Sequence, residues 1–261
     1  MKYARIYYDR LREPRYAVFD GSKFFPFLSP GLPWSDWKPE EEGFSRDQVV
    51  LVPLLEPSKI VCVGRNYREH AAELGNKMPD EPLLFLKAPS SIITTEDFIE
   101  LPPQSQQVEH EGELGVVIGM RARNIPDDDD PLGYVFGYTC VNDVTARDLQ
   151  RKDVQFTRGK SFDTFCPVGP WIVDDIDPTN ATVVTRVNGE VKQRGNTADM
   201  AFSVAYLIRY IAAIMTLYPG DLIATGTPAG VSRLKDEDVV EVEVSGIGVL
   251  RNPVIDISAN R

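Results

Sequence analysis

The segment VEHEGELGVVIG, residues 108–119, constrains this chain more than any other. Its Val/Ile-rich tail and terminal Gly119 read as a β-strand, whose side chains alternate between two faces. Glu109, Glu111 and Glu113 then share one face, and Val108, His110, Leu114, Val116 and Ile118 share the other. Burying unpaired carboxylates costs several kcal/mol. A fold that half-buries this strand must therefore bring positive charge to the glutamate face. Glu109, at the strand start, reads as solvated, whereas Glu111 and Glu113 adjoin the apolar run.

The rest of the chain repeats the strand signal. LVPLLEPSKIVCVGRNY, LLFLKA, YVFGYTCVND, CPVGPWIV, ATVVTRVNGEV, DLIATG and DVVEVEVSGIGVL are short β-branched runs broken by Gly, Pro and Asn. The Asn-Gly pair within Val187–Glu190 predicts a hairpin. Helical spacing is confined to about 67–74, 144–152 and 199–215, the last carrying a wide apolar face from Phe202 to Ala212. The fold class expected is mixed, β-dominated α+β, without the alternation of a βαβ series. Two aromatic-rich runs near the N-terminus, followed by the turn-rich stretch 29–43, predict a small N-terminal domain over 1–55 and a main domain over 56–261.

Composition narrows the function. A formal net charge of −11 repels phosphate backbones, which argues against a nucleic-acid partner. No run approaches the about 18–20 apolar residues of a membrane span, and the N-terminal residues lack the apolar core of a secretory signal. Cys62, Cys140 and Cys166 lack metal or disulfide spacing and read as buried thiols of a cytoplasmic protein. The Asp127–Asp130 run lacks the Gly and terminal Glu of a calcium loop, so it reads as a solvated loop.

Chemistry-bearing residues cluster in a few segments. Two carboxylates at i and i+2 on one strand face can converge on a hard divalent cation, although an isolated ExExE reads more readily as an edge strand with a solvated acidic face. Asp143 follows a strand able to pair near 111–118 and is the natural third carboxylate. Arg147 lies four residues on, where it could simply pair with Asp143, and Gln150 follows one turn later. Together they describe a site for a cation plus an anionic ligand. His70 and Glu73 are three apart on a predicted helix, the spacing of a general-base pair, although such pairs often serve only as caps or bridges. GRNY has only Gly64 and is no dinucleotide fingerprint, and GTPAG lacks the lysine of a P-loop. Lys160 sits in a Gly-containing loop. Thr225, Gly226 and Thr227 form a turn whose backbone N–H groups can meet an anion; each turn alone reads equally as plain surface.

The segments GRNYREHAAE, LFLKAPSS, VEHEGELGVVIG, YVFGYTCVNDVTARDLQ, RGKSFDTFCPVGPW and MTLYPGDLIATGTPAGV, taken in this order, resemble the fumarylacetoacetate hydrolase family. The resemblance runs from about residue 58 to the C-terminus and leans towards the short-chain branch. It implies a β-sandwich or β-roll catalytic domain with short helices, and magnesium or manganese held by Glu111, Glu113 and Asp143. It implies a substrate pocket lined by Arg147, Gln150, Lys160, Gly226 and Thr227, and a water-activating dyad of His70 and Glu73. The segment LGNKMPDEP, 74–82, stands where this branch can carry a lid. Members of the family are commonly homodimers acting on small oxo acids. The activity implied is metal-dependent cleavage of the bond beta to the 2-oxo group, as in acylpyruvate hydrolysis or oxaloacetate decarboxylation. The alternative is isomerisation or decarboxylation of hydroxy-dienedioates from aromatic catabolism. A non-catalytic ligand-binding protein is a further rival, against which His70, Glu73 and Lys160 argue.

Overall fold

In the computed structural model, residues 1–9, 13–29, 31–32 and 37–260 are described. Within the turn-rich stretch 29–43, residues 30 and 33–36 lie outside them. Two sheets dominate. The larger runs, in spatial order, through Phe24–Pro26, Arg15–Phe19, Lys2–Tyr7, Cys166–Val173, Val135–Asn142, Gly112–Ile118, Leu222–Ala224, Ile60–Gly64 and Leu83–Lys87. The smaller runs Glu190–Asn196, Thr182–Val187, Val239–Val244, Gly248–Asp256 and Ile99–Leu101. The Asn188–Gly189 turn closes the expected hairpin, both residues at positive φ (53° and 80°), as a two-residue turn of this kind requires.

The strand Gly112–Ile118 lies at the centre and is buried along its whole length. Leu114, Val116 and Ile118 pack against Val183, Val242, Val244 and Leu250 of the smaller sheet and against the helix Val204–Ile214. Val117, on the opposite face, packs with Val141, Val168, Ile172 and Leu222. Each such side chain contributes about 1.5–3 kcal/mol by leaving water, which explains why the β-branched runs become central strands. The N-terminal strands carry a separate apolar cluster around Ala4, Ile6, Phe24 and Phe44, and join the larger sheet where Lys2 and Tyr3 pair with Val173 and Ile172.

The expected helices form with shifted starts. The first spans Arg68–Glu73. The helix expected at 199–215 begins only at Val204, because the Ser203 hydroxyl accepts the Tyr206 N–H and caps it. The helix expected from 144 starts at Arg147, because Thr145 and Ala146 instead pair with Glu109 and Val108 as a two-stranded ladder. The three cysteines are buried and unpaired. Among the described residues, no helix is long and apolar enough to cross a membrane.

Register brings the chemistry-bearing segments together. Gly112 pairs with Asn142, so Glu111 and Glu113 lie beside Asp143. Gly115 pairs with Ala224, so the chain leaving Ala224 runs back towards Gly112 and places Thr225–Thr227 there. Ala224 in turn pairs with Cys62 in parallel, which carries the chain from Gly64 to His70 to the same end of the sheet.

Candidate active site

One ligand oxygen each from Glu111, Glu113 and Asp143 lies within 4.8 Å of the others. All three residues are buried. They belong to the wall of a cavity of about 370 Å³, together with His70, Phe85, Arg147, Gln150, Lys160 and Thr227. That volume falls within the range of small-molecule sites.

The positive charge demanded by the glutamate face comes from three buried cations. Lys160 Nζ donates to Glu111 Oε2 (2.8 Å) and to Asp143 Oδ2 (2.6 Å). Lys87 Nζ donates to Asp143 Oδ1 (2.6 Å) and to the Val144 carbonyl (3.1 Å). Arg147 donates from Nε to Glu109 Oε2 (2.8 Å), from one terminal nitrogen to Glu111 Oε1, and from the other to Gln150 Oε1 (2.7 Å). Two sequence expectations are thereby corrected. Glu109 is buried rather than solvated, because the 145–146 ladder closes over it and delivers Arg147. Arg147 pairs with Glu109 and Glu111, not with Asp143, whose two oxygens belong to the lysines.

Counting charges shows what is left over. Glu109, Glu111, Glu113 and Asp143 face Lys87, Arg147 and Lys160. Among the described residues, Glu113 is the one of these four carboxylates without a paired cation; it accepts the Gly226 N–H at 2.7 Å. Burial, then the neighbouring Asp143 and Glu111, push its carboxyl well above the usual range. Burial would also raise Glu111, but Lys160 and Arg147 outweigh it and hold that carboxyl well below the usual range. The same balance acts on Lys160: burial disfavours the ammonium, and Asp143 and Glu111 more than compensate, so its pKa is raised.

His70 is 5% exposed, and burial lowers its pKa, which leaves the ring neutral at pH 7. Its Nδ1 lies 3.5 Å from Glu73 Oε2 but makes no hydrogen bond. Both Glu73 oxygens instead accept the Gly230 N–H, at 3.1 and 3.2 Å. The expected dyad is thus in contact without being hydrogen-bonded. The Thr227 hydroxyl donates to the Gly112 carbonyl at 2.8 Å, so its proton is already committed. Leu74 and Asn76, at the start of the 74–82 segment, line the cavity.

Sequence reasoning missed Lys87 and the glutamine behind Gly112, Gln193. The one signal for Lys87 was a lysine ending the apolar run LLFLK. For Gln193 the sequence offered only a polar residue in a hairpin strand.

Comparison with known proteins places this geometry in context. The chain matches the family described as Fumarylacetoacetate (FAA) hydrolase C-terminal over residues 59–255. It is 56% identical over 202 residues to Uncharacterized protein MJ1656 of Methanocaldococcus jannaschii, covering 77% of this chain and 85% of that one. It is 40% identical over 256 residues to Oxaloacetate tautomerase YisK of Bacillus subtilis, covering 91% of this chain and 85% of that one. The solved structure of 2-hydroxyhepta-2,4-diene-1,7-dioate isomerase from Mycobacterium marinum superposes with a TM-score of 0.89 at 37% identity, covering 99% of each chain.

Proposed function

The chain belongs to the fumarylacetoacetate hydrolase family, and from that premise we propose that it is a divalent-metal-dependent enzyme that enolises small 2-oxo acids. We assign it keto–enol tautomerisation of an oxaloacetate-type 2-oxo dicarboxylate. The observation that carries this reading is the charge count: four buried carboxylates, three buried cations, and Glu113 left over beside Glu111 and Asp143.

The donor set fits a hard cation such as Mg2+ or Mn2+, since it is all oxygen and buried. With Glu113 protonated, three carboxylates balance three cations. A divalent ion in place of that proton would leave the cluster one positive charge in excess, which suits a ligand carboxylate. Held by Glu111, Glu113 and Asp143, the ion would act as a Lewis acid towards the charge that develops on an enolate oxygen.

The remaining work belongs to the chain. Neutral His70, in the cavity wall beside these carboxylates, is able to take a proton from carbon 3 of the oxo acid. As that C–H bond breaks, its electron pair moves onto the carbonyl oxygen. The Lys160 ammonium, kept charged by its neighbours, stabilises that oxygen. Returning the proton to oxygen completes an isomerisation that needs no co-reactant. Gln150, its oxygen committed to Arg147, offers its amide nitrogen to the distal carboxylate. Because the Thr227 hydroxyl proton is spent on Gly112, and the Thr225 and Gly226 N–H groups on Leu114 and Glu113, binding of the near carboxylate falls to the Thr227 N–H.

Acylpyruvate hydrolysis, the cleavage reaction expected from sequence, is the second reading, and the 3.5 Å approach of His70 to Glu73 favours it. Hydrolysis needs Glu73 to orient the imidazole towards water, whereas enolisation needs the imidazole alone. Tautomerisation is therefore preferred while Glu73 holds Gly230. The test is to give the chelator-stripped protein the enol form of oxaloacetate, acetylpyruvate or fumarylpyruvate, with and without Mg2+ or Mn2+. Enol absorbance and pyruvate release are followed in parallel. Metal-dependent enol decay without pyruvate is expected. Rapid pyruvate release from an acylpyruvate would replace tautomerisation with hydrolysis.

A further inference from the structure

Gln193, on the strand Glu190–Asn196 of the smaller sheet, is 1% exposed and reaches across to the glutamate strand. Its Oε1 accepts the Gly112 N–H at 3.0 Å. Its Nε2 donates to Thr227 Oγ1 at 2.8 Å and to the Pro228 carbonyl at 2.7 Å. Thr227 Oγ1 donates to the Gly112 carbonyl at 2.8 Å, which closes a ring through both backbone polar groups of Gly112.

Chemistry fixes the direction of every bond. The Gly112 N–H can only donate and the Pro228 carbonyl can only accept, so the carboxamide has one possible orientation. Its oxygen also meets His110 Nδ1 at 3.1 Å, which makes that nitrogen the protonated one; His110 Nε2 then accepts from Ser232 Oγ at 2.8 Å. Gly112 leaves no slack, because a Cβ there would stand 2.1 Å from Thr185 Oγ1 and 3.2 Å from a Val242 methyl. The ring touches both sides of the candidate site. Gly112 separates Glu111 from Glu113, and Thr227 follows Gly226, whose N–H holds Glu113.

We infer that Gln193 is a positioning residue. It locks the Glu111–Gly112–Glu113 segment to the Thr225–Pro228 loop, and so fixes the spacing between the carboxylates and the oxo-acid carboxylate site. What is positioned rests on the metal-dependent reading above; that the two segments are locked together does not.

The test combines Gln193→Met, Thr227→Val and the double variant. Mn2+ affinity is read by electron paramagnetic resonance, kcat and KM are read on enol oxaloacetate, and amide hydrogen exchange is read segment by segment. Gln193→Met is expected to weaken Mn2+ binding about tenfold or more, as loss of a residue supporting the ligands does, and to raise KM more than it lowers kcat. Exchange should accelerate together at 111–113 and 225–228 while the helix Val204–Ile214 keeps its protection. The double variant should be little worse than either single one, because both break the same ring. Gln193→Glu, which keeps the acceptor oxygen for Gly112 but removes the amide donor, serves if the methionine variant fails to fold; the same paired acceleration is expected of it. Unchanged exchange in both segments, or additive losses in the double variant, would overturn the inference. If the wild type binds no Mn2+, the metal reading falls, and the exchange data alone decide the coupling.

Discussion

Replacing Lys160 with methionine removes one of the three cations that balance the buried carboxylates and leaves the volume nearly unchanged. Lys160 is 2% exposed and serves Glu111 and Asp143 at once. Removing one partner of a buried ion pair costs about 3–5 kcal/mol, because the charge left behind stays buried. For a chain of this size 1 kcal/mol corresponds to about 2–4 °C in Tm, so the variant should melt about 10 °C lower in chelator. A divalent ion held by the same carboxylates, as proposed, should restore much of the loss. At a hundredfold excess over Kd it contributes about 2.7 kcal/mol. The gain should be larger in the variant than in the wild type, where the lysine ammonium already occupies Glu111 Oε2 and Asp143 Oδ2. Thermal melts of both proteins in EDTA and in MnCl2 make the comparison. A variant as stable as wild type in EDTA, or one that gains nothing from Mn2+, would refute the charge balance on which the site assignment stands.

Further outcomes follow from the same geometry. Because the Glu113 carboxyl is raised, Mn2+ binding at the proposed site should strengthen with pH and release protons, as calorimetry in buffers of different ionisation enthalpy would reveal. The same shift means that Glu113 contributes stability fully below the unfolded glutamate value of 4.5, and that this is lost as pH rises through the folded value. Glu111 runs the other way: its contribution is present above that unfolded value and is lost as pH falls through its depressed folded value. Melts of chelated protein should therefore decline with rising pH more than melts in Mn2+. His70→Ala should abolish enol decay and leave Mn2+ binding intact, whereas Glu73→Gln should spare enol decay; equal loss in both would restore the dyad. Gly112→Ala should cost about 1–3 kcal/mol in a thermal melt through overpacking, and Thr185→Ala in the same chain should recover part of it, since the Cβ would meet Thr185 Oγ1.

Local pattern made much of this visible. The β-branched runs became central strands, and the i, i+2 spacing of Glu111 and Glu113 put both carboxylates beside Asp143 once strand 135–142 paired in register. What stayed hidden depends on contacts between distant segments. Glu109 looked exposed because a strand end usually is; the ladder with 145–146, more than thirty residues on, buries it. Lys87 stands opposite Ile60 in its own sheet pairing, and only the three-dimensional fold carries its side chain to Asp143. Arg147 shows the right charge at the right place, but its alternative reading as an i, i+4 partner of Asp143 fails, because the helix starts at Arg147 itself. Gln193 belongs to the second sheet, and no feature of EVKQRGN marks it as the residue closing a ring around Gly112.

In the proposed reaction, enolisation depends on a divalent ion held by Glu111, Glu113 and Asp143. The most direct test titrates chelator-stripped protein with Mn2+, counting bound ion by electron paramagnetic resonance and following enol decay in the same samples, for wild type and Glu113→Gln. The rate should rise in step with a single bound Mn2+ per chain, and the variant should lose both binding and rate. Enol decay at full speed without Mn2+, or a Glu113→Gln variant that keeps metal-dependent activity, would contradict the proposal.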